Sequence, residues 1–122
     1  MKLIKPICII LWTIGCSTCA YSNEAQKNQY DDELLDFANA NCFFWYFKSK
    51  QIDTTDIKKI SSGIVELSHL SPEKFQQTAQ LVKSYNPKLN TKQSTDIQLT
   101  KCFLMQKDDT FKDKLRTIYE TP

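Results

Sequence analysis

Between Tyr30 and Ile118 the apolar residues return at steps of three and four, and a single glycine, Gly63, falls within that span. That spacing lines one face of an α-helix and fits no alternating strand. The first predicted helix carries Tyr30, Leu34, Phe37 and Ala38, then Phe44, Trp45 and Lys48, on one stripe. Asp31, Asp32 and Glu33 fall in its first turn, where acids favour the positive end of the helix dipole. A second helix opens near Asp53 with Ile57, Ile60, Ile64 and Leu67, and holds Gly63 inside it. A third opens at Ser71-Pro72-Glu73, with Ser as cap and Pro at the first helical position. Phe75, Ala79, Val82 and Tyr85 form its inner stripe, and Asn86-Pro87 ends it. Residues 86–94 are the longest polar stretch within the domain. A fourth helix is predicted from about Thr95 to Gln106, with Ile97, Leu99, Cys102, Phe103 and Met105. Asp108-Asp109-Thr110 breaks and caps, and a fifth helix follows with Phe111, Leu115 and Ile118 inward. The fold class expected is all-α: a compact bundle of about five short helices.

A chain of 122 residues with two glycines and four prolines has room for one such domain. The scarcity of both residues excludes collagen and argues against turn-dense sandwiches. It also excludes glycine-rich nucleotide loops, which need at least two close glycines. One histidine excludes a multi-histidine metal site. No cofactor is expected.

Residues 1–20 read as a signal peptide. Lys2 and Lys5 precede the uncharged run Ile7 to Ile14, and the small residues Gly15, Ser17, Thr18 and Ala20 follow. The run is too short for the roughly 20 residues of a membrane-spanning helix. Cleavage after Ala20 leaves two cysteines, Cys42 and Cys102, and a polar leader over 21–29 ahead of a helical domain at 30–122. An alternative is the lipobox-like Thr13-Ile14-Gly15-Cys16, which would leave a lipoprotein lipidated at Cys16 and an odd thiol at Cys19. Lys2 and Lys5 leave with the signal, so sixteen basic residues become fourteen against fourteen acidic ones. That balance gives no footprint for nucleic acid or for a charged membrane surface. The localisation expected is the periplasm.

The chemistry available is sparse. In an exported chain the default for Cys42 and Cys102 is a disulfide, and the alternative is two buried free thiols. A Cys–His nucleophile would need His69, which sits on a predicted surface turn. Asp31/Asp32 and Asp108/Asp109 are neighbours in sequence, and such pairs do not face each other on a helix. No enzyme is expected. The run Phe43-Phe44-Trp45-Tyr46-Phe47 is aromatic on every face. Phe44 and Trp45 are expected in the core, while Phe43, Tyr46 and Phe47 offer a surface for a homodimer or another partner.

Three segments in order resemble a known family. They are an aromatic–acidic helix from Tyr30 through Phe37 to Cys42, Leu81-Val82-Lys83-Ser84-Tyr85, and Leu99-Thr100-Lys101-Cys102-Phe103. With the signal peptide and the paired cysteines, they are similar to the immunity proteins of type VI secretion peptidoglycan amidases, in particular the partners of the fourth amidase effector family. The resemblance spans about residues 30–119. It implies an all-α, commonly dimeric periplasmic protein that blocks the cleft of a Cys–His amidase and protects self and sister cells. The 86–94 connection is shorter than that family's and the aromatic run is heavier. Blocking a cleft needs a protrusion. The candidates are Lys88, Leu89, Asn90 and Lys92 on the polar connection, and His69 and Glu73 at the corner before the third helix. An envelope module for a small apolar ligand, or an inhibitor of another exported hydrolase, fits the same residues.

Overall fold

The computed structural model describes the backbone of residues 22–90 and 94–122, and within these the side chains from Asp32 onward. The segment read as a signal peptide, with Cys16 and Cys19, and the candidate Lys92 lie outside the described residues. Among the described residues the chain is all-α: α1 (Ser22–Ser49), α2 (Thr55–Leu67), α3 (Pro72–Ser84), α4 (Ile97–Met105) and α5 (Asp109–Glu120).

The long α1 is the spine, and each of the other four helices packs against it. It opens at Ser22, inside the stretch read as a leader, because nothing between 22 and 29 breaks a helix. Asp32 and Glu33 therefore sit within the helix and not in its first turn. Glu33 takes a different role: its Oε2 accepts a hydrogen bond from the Ser68 hydroxyl at 2.6 Å. The same hydroxyl oxygen accepts from the Leu70 N–H at 3.0 Å, so the turn between α2 and α3 is tied to the spine. At the far end of α1, the Ile52 N–H reaches the Phe47 carbonyl and the Gln51 N–H reaches that of Lys48. This six-to-one and five-to-two pattern is a Schellman stop. It sets Gln51 at φ 57°, a conformation where glycine is the usual occupant.

The core gathers Leu34, Ala38 and Cys42 of α1, Phe75 and Val82 of α3, Cys102 and Met105 of α4, and Phe111 and Leu115 of α5. Cys42 and Cys102 are joined as a disulfide, with Cα atoms 5.6 Å apart and a sequence separation of 60. Closing a loop of that length contributes about 4 kcal/mol in the chain-entropy account. Two aromatic contacts knit the layers: Phe37 on Phe75 and Tyr85 on Phe111, each edge-to-face at 5.1 Å. Thr78 is fully buried, which its apolar neighbours did not foretell. Its hydroxyl donates to the Lys74 carbonyl one turn back, so the polar atom is satisfied within its own helix.

The cap expected at Asp108 forms at α5, Ser71 stands at the cap position of α3 without a side-chain cap bond, and α4 starts two residues later than expected, behind Asp96. Pro72 stands at the first position of α3. Asp96 accepts from the Leu99 N–H at the start of α4, and Asp108 from the Phe111 N–H at the start of α5. The end of α5 is held from outside. The Lys74 ammonium donates to the carbonyls of Ile118, Tyr119 and Thr121, where the last carbonyls of a helix otherwise lack partners.

Candidate functional site

A groove of about 390 Å³ opens between α1, α3 and α4. Trp45 and Ser49 line it from α1, Val82 and Lys83 from α3, and Gln98 and Lys101 from α4. Its walls are fixed by the disulfide, since Cys42 lies three residues before Trp45 and Cys102 follows Lys101. Val82, almost fully buried, belongs to both the groove and the core. Trp45 is 40% exposed and is a groove wall, so the expectation that it fills the core is corrected. The Lys48 ammonium lies 5.0 Å from its ring centre, a cation–π contact. Lys101 is half-buried, and its ammonium stands 5.9 Å from the ring centre of Tyr85. Burial holds the Lys101 ammonium below the ordinary lysine range.

Phe43 takes the inward place that Trp45 leaves. It packs against the core and meets Phe103 edge-to-face at 5.9 Å, with Phe47 at 6.3 Å and Tyr46 against Phe47 at 5.8 Å. The run thus divides differently from the expectation: Phe43, Tyr46 and Phe47 are half-buried, Phe44 likewise, and Trp45 is exposed. The outermost ring of the cluster is Phe103, 56% exposed, which sequence spacing had placed on the helix without facing it outward.

The two candidate protrusions stand apart. At one end of α3, Lys88 and Asn90 are exposed and Leu89 is half-buried. Lys88 lines two adjoining depressions, together with Tyr85, Pro87 and Asp108. One, of about 510 Å³, runs past Leu81, Tyr85, Pro87, Asp108 and Lys114, and the other, of about 280 Å³, reaches Leu104 and Lys107. The Tyr85 hydroxyl donates to Asp108 Oδ2 at 2.8 Å. Burial, and then this bond, push the phenol above its ordinary value. The same hydroxyl holds the Asp108 carboxyl below the usual range. At the other end of α3, His69 and Glu73 are exposed. Backbone and Ser71 hydrogen bonds hold the Glu73 carboxyl low. Thirteen helical residues, about 20 Å at 1.5 Å per residue, separate the two ends, so they do not form one site.

The corner instead adjoins the apolar stripe of α2. All of α2 is described and none of it is buried. Ile57 and Ile64 lie half-buried toward the bundle, whereas Ile60 is 54% and Leu67 85% exposed. Gly63 lies between them at helical spacing, with nothing within 4 Å of where a Cβ would stand. Residues spaced three and four apart share a helix face, so Ile60, Gly63 and Leu67 form one open strip. The spacing that sets Ile57, Ile60, Ile64 and Leu67 on one stripe does not tell which edge of it stays open, and the structure leaves Ile60 and Leu67 bare.

The two described cysteines are bonded to each other and offer no thiolate. Among the described residues no cluster of three or more His, Cys, Asp or Glu could hold a metal ion, and no helix is long and apolar enough to cross a membrane. What the arrangement offers is contact: an apolar strip, an aromatic cluster and a cationic groove on a covalently braced frame. Comparison of the chain with protein-family models, with curated proteins and with solved structures gives no match.

Proposed function

We propose that the protein is an exported, non-catalytic immunity protein that binds a type VI secretion peptidoglycan amidase in the periplasm and blocks its cleft, protecting self and sister cells. The observation that carries a binding role is the uncovered strip of α2, with Ile60 and Leu67 bare beside Gly63. Isolated exposed apolar residues are ordinary, but a contiguous strip on a disulfide-braced frame is the pattern of a surface used for association. The Cys42–Cys102 bond fits an oxidising compartment, where such bonds persist. The resemblance of the three sequence segments supplies the class of partner. In this reading the α2 strip and the corner carrying His69 and Glu73 make the main contact, and Lys88 and Lys92 on the connection enter the cleft. The aromatic cluster of Phe43, Tyr46, Phe47 and Phe103 serves a second copy of the chain.

Calorimetric titration of the oxidised protein with a Cys–His peptidoglycan amidase, beside an assay of peptidoglycan cleavage, tests this. Nanomolar binding with loss of cleavage is expected. The pair Ile60→Asp and Leu67→Asp, and separately the pair Lys88→Glu and Lys92→Glu, should each weaken binding more than tenfold without lowering the melting temperature. Unchanged affinity in either pair removes that surface from the contact. Absence of binding, or binding without inhibition, overturns the amidase reading.

A further inference from the structure

We infer that the groove between α1, α3 and α4 is a binding site for a small amphiphilic carboxylate, an apolar chain or ring that ends in one anionic group. Its volume of about 390 Å³ falls in the range of roughly 300–1,000 Å³ typical of small-molecule sites. Such sites are mostly apolar, with a few polar groups that orient the ligand. Here Trp45 and Val82 give apolar lining, and Lys83 and Lys101 give two cationic side chains. None of the six lining residues is acidic, so the two ammonium groups meet no carboxylate from the groove itself.

Lys101 decides the charge of the ligand. A cation drawn partly out of water is unfavourable unless an anion or a set of acceptors faces it. Lys50 and Lys112 each have a carboxylate partner, Asp96 at 2.6 Å and Asp109 at 3.6 Å. Lys101 has the Tyr85 ring, near the outer limit of about 6 Å for a cation–π contact. A ligand carboxylate beside Lys101 would complete the pairing that the fold leaves open, while its tail covers the indole. A neutral amphiphile would gain only the tail contact, and a cationic one would meet two like charges.

Trp45 reports on the site directly. The chain has two tryptophans, and Trp12→Phe in the full chain leaves Trp45 as the sole indole. Titration of that protein with decanoate, decan-1-ol or decylammonium, each below its micelle concentration, is read as Trp45 fluorescence. We expect a saturable change with decanoate, at a dissociation constant on the order of 100 µM for a ligand of this size. We expect at least tenfold weaker responses to the alcohol and the ammonium. Replacing Lys83 and Lys101 together by Glu should weaken decanoate binding at least tenfold while far-ultraviolet circular dichroism stays unchanged. Equal response to decanoate and decanol, or decanoate binding that survives the double replacement, overturns the inference. So does a response to an acidic, leucine-rich hexapeptide with none to decanoate, which would make the groove a peptide site. The titration contains no amidase, so its failure leaves the proposed immunity function standing, and failure of the amidase titration leaves this inference standing.

Discussion

The helices α2 and α5 are nearly equal in length, and the first is the more apolar in sequence, yet they are held in opposite ways. The shorter one, α5, buries Phe111 and Leu115, packs on both α1 and α3, is capped by Asp108 and is closed by the Lys74 ammonium. The other rests chiefly on α1, buries no residue and has no side-chain hydrogen bond from its cap residue Thr54. Amphipathic spacing promises that a helix will find a partner for one stripe. It does not say how far the neighbours close over that stripe. Between α1 and α3 the α5 stripe became core. Against α1, the α2 stripe stayed partly open and became a surface.

The largest expected effect breaks the comparison at its buried side. Phe111→Ala removes a fully buried ring and should cost about 4 kcal/mol in urea unfolding, while Leu67→Ala should stay within about 0.5 kcal/mol. Similar losses at both positions would mean that Leu67 is covered in solution. Next in size is the cap of α5. Asp108→Ala should cost about 1–2 kcal/mol, because it removes the acceptor of both Phe111 N–H and the Tyr85 hydroxyl.

The Asp108 carboxyl also gives a pH signature. Its folded pKa lies below the unfolded value, chiefly through the Tyr85 hydroxyl. Its contribution is therefore complete above the ordinary value of about 4 and is lost as pH falls through the folded value. The group is only partly buried, so solvent screening keeps this part small. Melting curves between pH 7 and pH 2 should fall less steeply below about pH 4 for Asp108→Ala than for the parent, and equal slopes would refute the linkage. The smallest effect sharpens the open side. Gly63→Ala should raise stability by about 0.8–1 kcal/mol, since a helix interior prefers alanine and nothing opposes the new methyl. A loss on that substitution would show that something lies against α2.

Much of this architecture could be read from the residues. Ser71-Pro72 and Asp108 marked helix starts because capping is a local act, settled within four residues. Cys42 and Cys102 were readable as a pair because only two cysteines fall within the helical domain. The rotation of α1 was not readable. Trp45 and Phe43 are both apolar and two residues apart, so their roles depend on where α3 and α4 cross the spine. Nor was the bridge from Lys74 to the end of α5, which spans more than forty residues. The exposed edge of α2 was hidden for a related reason: Ile57, Ile60, Ile64 and Leu67 form one stripe, and spacing does not tell that Ile57 and Ile64 are covered while Ile60 and Leu67 stay open.

The disulfide also makes the molecule a ring with two tails. α2, α3, the corner with His69 and Glu73, and the connection with Lys88 all lie between Cys42 and Cys102. A single peptide bond cut within that ring releases neither half. Cleavage after Lys88 would yield one band on a non-reducing gel and two after reduction. Both segments proposed to meet the amidase lie inside the ring, so a protease that nicks one of them still leaves every helix tethered to the same covalent body.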